Sequence, residues 1–391
     1  MPRGQMSRAL GFGNLAVKIG TNIALNATSN FIKGNTVSRD SLLLSQKNFE
    51  AITETLAQMR GASMKLGQLL SIETTDLLPS ELSVILSRLR SEGYSMTPGQ
   101  LKVVLNTNWG SHWLKKFHHF EVRPFAAASI GQVHKAFTKD GQTLAIKVQF
   151  PNIKRTISSD LNNLRFIVKK FGIIPKEFEL EHYLGICEQQ LLLETNYKRE
   201  AHFLRKFKLV ASTTDGIEIP DLISDFSTDS VLAMSFEAGI DLCDVGQFST
   251  IQRDQIALRL VDWTIREIFE FRLVQTDPNF ANYRYDRDSG TLKLLDFGAS
   301  AELSIEVVRV YHELVRDLFA NDSERIFNTL ITHKIIPSNI PTKAYSLLKQ
   351  LLAIALKEFH ASDTFSFKDS KIFNFITVEN VQELSKITPT D

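Results

Sequence analysis

The stretch from Gln275 to Gly298 constrains this 391-residue chain more than any other. It reads Gln-Thr-Asp-Pro-Asn-Phe-Ala-Asn, then a short turn-rich run, then Leu-Leu-Asp-Phe-Gly. Asp277 and Asn282 stand five positions apart, and Asp296 follows fourteen positions after Asn282. That spacing puts a carboxylate and a side-chain amide on one short loop and returns a second carboxylate to it. Magnesium takes hard oxygen donors and keeps much of its water, so Asn282 and Asp296 suffice as protein ligands once phosphate oxygens complete the shell. The segment therefore predicts a phosphate-handling metal site, with Asp277 in the position of a base. Asp-Phe-Gly alone is commonly a turn after a strand, and the pairing with Asp-x4-Asn is what gives the signal its specificity.

A chain this long has room for two compact units, and 43% apolar with 23% charged residues is ordinary globular composition. Lys plus Arg number 45 against 44 Asp plus Glu, so bulk charge offers no electrostatic case for nucleic acid, and no such partner is expected. Cys187 and Cys243 are the only cysteines, which fits a reducing compartment and excludes a thiolate metal site. Polar residues interrupt every apolar run before transmembrane length, so no membrane span is expected. Residues 1–40 form a basic segment: Arg3, Arg8, Lys18, Lys33 and Arg39 precede the first acid, Asp40. Such a segment can be an organellar leader, a helix lying on an anionic membrane surface, or a first helix packed on its own domain.

Helical spacing of Leu44, Ile52, Leu56, Met59 and Leu66 predicts a long helix over 41–72, with further helices over 79–89 and 97–105. Pro124 then precedes β-rich sequence. Strands are expected over 131–137 and 144–149, joined at Asp140-Gly141 as a hairpin. Helices follow over 159–171 and 181–207, then a buried strand over 230–236 before Gly239. Beyond Ser249 the pattern is mostly helical outside 277–296. The expected architecture is α+β and two-lobed: a helical extension at 41–123, a small lobe at 124–239 and a larger helical lobe at 240–391.

Lys147 lies mid-strand in Ala-Ile-Lys-Val, where a buried ammonium needs a partner and can hold nucleotide α- and β-phosphates. Glu200, on the long helix after the hairpin, is the expected partner. Upstream, where a glycine-rich phosphate loop would stand, the chain has Ala126-Ala127-Ala128-Ser129-Ile130-Gly131. Alanine restricts φ and adds Cβ bulk, so this loop is expected to be stiffer, with Ala127, Ala128, Ser129 and Gly131 near the phosphates and Ser129 a hydrogen-bond donor. Met234-Ser235-Phe236-Glu237 ends the buried strand and is expected to offer backbone groups to adenine, chiefly from Met234, Phe236 and Glu237. No Ala-Pro-Glu occurs after Gly298, which argues against an ordinary protein kinase that docks peptides on an activation segment.

Two further motifs make the chain resemble the UbiB family of atypical kinase-like proteins, associated with coenzyme Q biosynthesis. Arg60-Gly61-Ala62-Ser63-Met64-Lys65-Leu66-Gly67-Gln68 resembles that family's Lys-x-Gly-Gln helix, and Ala126–His134 resembles its alanine-rich loop. The resemblance implies a protein-kinase-like fold with an N-terminal helical extension, binding of ATP or ADP with Mg2+, and ATPase or kinase-like activity that supports ubiquinone production near membranes. It also implies that the extension covers the peptide site and that Lys65, with Gln68, reaches an acidic motif on the small-lobe helix. That motif is Glu-x-Asp in the family and Glu194-Thr195-Asn196 here, so Lys65 and Gln68 would meet less opposing charge at Glu194.

The reading is an ATP-binding atypical kinase or ATPase acting on a non-protein acceptor. Lys147 clamps phosphates, Glu200 orients it, Asn282 and Asp296 hold magnesium, and Asp277 accepts a proton from water or an acceptor hydroxyl. Partners implied are adenine nucleotide, an anionic membrane surface or isoprenoid lipid, and quinone-biosynthesis enzymes; no oligomeric state follows. A nucleotide-gated lipid-binding or scaffolding pseudokinase would use the same pocket. A small-molecule phosphotransferase shares the Asp-x4-Asn logic but gives no reason for the Lys-x-Gly-Gln helix. The compartment stays open between bacterial cytoplasm with peripheral membrane contact and the mitochondrial matrix face.

Overall fold

The structure, a computed structural model, describes Gly61, Ala62, Lys65, 95–171, 180–360, 369–385 and 387. The basic segment 1–40, the helix expected over 79–89, and all of the helix expected over 41–72 except Gly61, Ala62 and Lys65 lie outside the described residues; those three are helical.

Two compact units divide the described residues: one ends at 259 and resumes at 275–300, and the other holds 260–274 and 301 onward. In the first, helix α1 (Pro98–Trp109) is fixed at its start by Thr97, whose hydroxyl accepts from the Gln100 amide while the Gln100 side chain accepts from the Thr97 amide. Proline at the first helical position needs no amide partner there. Strands β1 (Phe117–Phe120), β2 (Ala126–Ala127), β3 (Gly131–Thr138), β4 (Thr143–Gln149) and β6 (Val231–Ser235) make an antiparallel sheet in the order β1-β3-β4-β6, with β2 also on β3; β5 belongs to a second sheet. Gly141, at φ +87°, supplies the positive-φ residue in the β3–β4 turn expected at Asp140-Gly141. Because β4 is bonded on both edges and buried along six of its seven residues, any charge on it must find a partner inside the protein.

Helix α2 (Ile153–Phe171) begins earlier than the sequence pattern predicts. The single helix expected over 181–207 is two helices, α3 (Leu180–Glu194) and α4 (Tyr197–Ala211). The break comes from two short polar side chains that compete for helical backbone. Thr195 Oγ1 donates to the Leu192 carbonyl at 2.7 Å, and Asn196 Oδ1 accepts from the Arg199 amide at 3.0 Å, with Asn196 at φ −101°, ψ 82° outside helical space. Asn196 is thus the N-cap of α4, a position that asparagine and aspartate fill about equally well.

A second, four-stranded sheet runs β5 (Ile217–Glu218), β10 (Leu292–Leu294), β9 (Tyr283–Tyr285), β7 (Ile240–Asp241), with β5 and β10 parallel. Its β9–β10 pair brackets the loop that precedes Asp-Phe-Gly. Helix α5 (Thr250–Arg266) ends in a π turn over Glu267–Phe271, and β8 (Leu273–Gln275) leads to Asp277. After β11 (Ser300–Glu302), helix α6 (Ile305–Phe319) starts at its Ser304 cap, where periodicity predicted it to resume. Helices α7 (Ser323–Thr332) and α8 (Thr342–Phe359), followed by α9 (Lys371–Phe375) and α10 (Val378–Ser385), complete the second unit around Phe327, Ile336, Ala344 and Ile387.

The capping assignment is testable. Asn196→Ala is expected to cost about 1 kcal/mol in urea denaturation, while Asn196→Asp stays within about 0.5 kcal/mol of the parent. Equal losses for both would overturn it.

Candidate nucleotide and metal site

Every site residue described below lies in the first unit. Lys147 sits opposite Val133 of β3 and Leu232 of β6, only 7% exposed. Its Nζ donates to Glu200 Oε1 on α4 at 2.7 Å and to Asp296 Oδ2 at 3.2 Å, and lies 5.4 Å from the centre of the Tyr197 ring. Burial works against the ammonium, but Asp296 and Glu200 outweigh it and raise the Lys147 pKa well above its ordinary value. Burial likewise opposes the Asp296 charge, yet Lys147 and the Gly298 amide hold that carboxyl below its usual range. For Glu200 burial dominates, and its carboxyl is pushed up to about 7 against the pull of Lys147. Asp296 is therefore the firmly ionised partner, and Glu200 titrates near neutrality. Removing Lys147 would leave two carboxylates without their cation in this largely buried place, a loss on the order of 3–5 kcal/mol.

The Asp-Phe-Gly segment is held by groups that the sequence reading missed. Phe297 is 1% exposed and packs on Phe207 of α4 at 5.0 Å between ring centres. Arg199 Nη1 donates to the Gly298 carbonyl at 2.7 Å, and Nη2 donates to the Ser300 carbonyl. Gln275 Nε2 donates to the Asp296 carbonyl at 3.2 Å and is itself bonded by the Tyr283 hydroxyl at 2.7 Å. Arg199 alone carried a legible signal, since it adjoins the Glu200 already singled out.

Asn282 ends the short turn Phe280–Asn282, and its carbonyl accepts from the Leu295 amide at 2.9 Å, which brings its backbone beside Asp296. The donor set suits magnesium: hard oxygens, an Asp296 side chain 35% exposed, and a glycine at 298. A Cβ there would lie 3.2 Å from Asp296 Oδ1 and 3.5 Å from Glu200 Oε2, so glycine keeps the space beside both carboxylates open. Glu200 Oε2 is buried and has no hydrogen-bond partner among the described residues. Among the described residues no cluster of three or more His, Cys, Asp or Glu could hold a metal ion.

Lys65, 2% exposed, joins two parts of the site. Its Nζ is 3.1 Å from Glu194 Oε1, as the resemblance implied, and 2.7 Å from Asp277 Oδ2, which was not foreseen. Burial opposes its charge, but Glu194 and Asp277 together raise its pKa. The missing acid at 196 is thus replaced, as a counter-charge for Lys65, by Asp277. Gln68 lies outside the described residues. Glu194 also accepts from the Ser129 hydroxyl, so Ser129 is engaged by α3. The alanine loop is a tight reversal in which the Ala128 amide donates to the Gly131 carbonyl at 3.0 Å, while Ala127 pairs with Gln132. A Cβ on Gly131 would sit 2.4 Å from the Val148 carbonyl, so only glycine lets the loop approach β4. Gly61 also approaches the Ser129 carbonyl, less tightly, with an added Cβ 3.1 Å away. The Ala128 amide and the Ser129 hydroxyl are thus committed within the protein.

At the expected adenine edge, Met234 pairs with Ala145 and Leu222. The Phe236 amide donates to the Thr143 carbonyl at 3.0 Å, so this amide is spent on the sheet. Glu237 accepts from the Ser235 hydroxyl at 2.7 Å and lies 3.5 Å from Lys293.

A strand lysine paired with a helix glutamate and the Asp-Phe-Gly carboxylate defines a kinase-like arrangement. Residues 88–330 match the model of the ABC1 atypical kinase-like domain, and the chain belongs to that family, with its protein-kinase-like α+β fold. It is similar to the mitochondrial atypical kinase COQ8 of Saccharomyces cerevisiae, with 35% identity over 315 residues, covering 81% of this chain and 63% of that one. It is also similar to the mitochondrial atypical kinase COQ8B of Rattus norvegicus, with 35% identity over 370 residues, covering 94% and 70%. Against COQ8 of Schizosaccharomyces pombe it spans about half the relative's length, 52%. A solved structure, the Rv3197–erythromycin complex from Mycobacterium tuberculosis, shares the fold with TM-score 0.52 and 23% identity, covering 80% of this chain and 81% of that one. The names of the COQ8 relatives place those proteins in mitochondria, the second of the two expected compartments. Among the described residues no helix is long and apolar enough to cross a membrane.

The raised Glu200 pKa gives a pH signature. Unfolded, the carboxyl titrates near its ordinary 4.5; folded, near 7. Between those values the native chain holds a proton that the unfolded chain releases, so stability falls as pH rises through this window. Asp296 is shifted down and Lys147 up, so their contributions change outside it. Urea midpoints measured at intervals from about pH 4.5 to 7.5 are expected to show a decline in the parent that is reduced in Glu200→Gln. Identical slopes would refute the assignment.

Proposed function

We propose that the chain binds ATP or ADP with magnesium and hydrolyses ATP, or passes its terminal phosphoryl group to a non-protein acceptor, in support of ubiquinone biosynthesis. The observation that carries this reading is the Lys147–Glu200–Asp296 set, at 2.7 and 3.2 Å, with Lys147 and Glu200 buried and Asp296 partly exposed. A lysine kept cationic in mid-sheet is suited to nucleotide phosphates, and Glu200 orients it. Asn282 and Asp296 would hold magnesium, which when bound offsets charge on the phosphate oxygens. Asp277 would position and deprotonate water or an acceptor hydroxyl once its Lys65 contact opens. Lys65 and Gln68, with Glu194, would act as a latch on that step. The adenine edge would be read through Met234 and through backbone of Phe236 and Glu237 other than the committed Phe236 amide. Ala127, Ala128, Ser129 and Gly131 would form a closed, stiff roof.

The lobe boundary near Gly239 and the helical extension over 41–123 belong to the same reading. So does the absence of Ala-Pro-Glu, which favours a small acceptor or water over a docked peptide. The mitochondrial names of the relatives support a place on the matrix face of the inner membrane, with anionic or isoprenoid lipid and quinone-biosynthesis enzymes as neighbours.

Magnesium-dependent ATP hydrolysis by the purified chain, with and without anionic liposomes, tests the proposal. Asp296→Asn and Asp277→Asn are each expected to lower turnover by about 100-fold or more. Nucleotide binding without turnover in all conditions, or full turnover in Asp296→Asn, would sink it.

A further inference from the structure

One cavity of the first unit, about 730 Å3, lies away from Lys147 and Asp296 and takes no part in the chemistry above. Its volume is within the range of small-molecule sites, roughly 300–1,000 Å3. It opens between α1, the start of α2, the α3–α4 junction and the segment before β6. Its buried lining holds apolar Val104, Phe150 and Ile153 beside polar Gln149 and Thr195. Around the floor Val103, Leu192 and Leu193 leave apolar side chains 63%, 39% and 48% exposed. The only acid in its lining, Asp229, is paired with Lys198 at 2.6 Å. Lys154 and Arg155 also line it, and neither has an ion-pair partner among the described residues. Apolar patches on the floor and rim, beside two cations with no ion-pair partner among the described residues, suit a small amphiphile with a single anionic head, carboxylate or phosphate, and a short aliphatic body.

The walls connect this cavity to the nucleotide site. Gln149 follows Lys147 by two residues on β4, so both point to the same face of the sheet, roughly 7 Å apart along the strand. Gln149 Nε2 donates to the Thr195 carbonyl at 2.8 Å, and Thr195 and Asn196 both line the cavity. Those two residues are the break that separates Glu194, the partner of Lys65, from Glu200, the partner of Lys147. We infer that the cavity is a regulatory site for an anionic amphiphile, whose occupancy is transmitted through the α3–α4 junction to Glu200. The inference rests on the proposed nucleotide reading for its consequence, not for the binding itself.

The test uses the full chain without nucleotide, so its failure and that of the nucleotide reading are separable. Decyl phosphate, kept below its micellar concentration, is titrated calorimetrically beside decanol and inorganic phosphate. The expected result is one site per chain, at least about tenfold tighter than either control, since each loses half of the recognition. Thr107→Trp, which fills the cavity from an exposed position, is expected to abolish binding. Lys154→Glu combined with Arg155→Glu is expected to weaken decyl phosphate about tenfold or more while leaving decanol unchanged. Hydrogen exchange reads the transmission: the amides of Arg199 and Glu200, which do not line the cavity, should gain protection with decyl phosphate, and not in Thr107→Trp. Binding indifferent to both variants, inorganic phosphate binding as tightly as decyl phosphate, or unchanged exchange at Arg199 and Glu200 would overturn the proposal.

Discussion

A positive charge in the middle of a sheet is the constraint from which the rest of the first unit follows. Lys147 is flanked by strands on both edges and only 7% exposed, so its ammonium is stable only where carboxylates are delivered to it. Neither arrives from nearby sequence: Glu200 is 53 residues away and Asp296 is 149. Placing them fixes α4 against the sheet and Asp-Phe-Gly against α4. The supporting contacts then make sense as a group. Arg199, Phe207 and Gln275 all act on the backbone or ring of residues 296–300 and so hold the Asp296 carboxylate at Lys147. The triad is a fastening of the fold, and on the proposed reading nucleotide phosphates would meet a lysine already oriented by it.

The break at Thr195–Asn196 is the second condition. On one uninterrupted helix, Glu194 and Glu200 would project roughly 120° apart. Ending α3 and restarting α4 lets the two glutamates serve different cations, Lys65 and Lys147. The break is made by side-chain hydrogen bonds alone, without proline or glycine, and the Thr195 carbonyl it frees is taken by Gln149. Two capped helices therefore cost little backbone satisfaction.

These particulars also mark what a sequence can show. The β3–β4 hairpin, the β6 strand, the Ser304 restart and the Lys147–Glu200 pairing were legible because each rests on a local period or on a spacing with a chemical reason. The α3–α4 break was not, because apolar periodicity continues across it and a capping asparagine looks the same as an asparagine inside a helix until its neighbours are placed. The Lys65–Asp277 contact spans 212 residues and leaves no periodic trace. At the adenine edge, residue identity marked the strand end, but only strand pairing reveals that the Phe236 amide already belongs to Thr143.

Asp277 shows why the site is restrained as well as assembled. A proton-accepting carboxylate needs an open lone pair aimed at the incoming hydroxyl, and here Oδ2 is held at 2.7 Å by an ammonium that is itself 2% exposed. On the proposed reading, an acceptor approaching Oδ2 would displace Lys65, leaving that ammonium with Glu194 alone in a place where water is scarce. Glu194 is meanwhile shared with the Ser129 hydroxyl, so it cannot turn wholly toward Lys65 without releasing the alanine loop. On the proposed reading, opening Asp277 and loosening the alanine loop would be coupled through Glu194. A water molecule can approach Asp277 with smaller displacements than a side chain on a docked protein would require. On the proposed reading, the same contacts that neutralise Lys65 would favour small acceptors at Asp277.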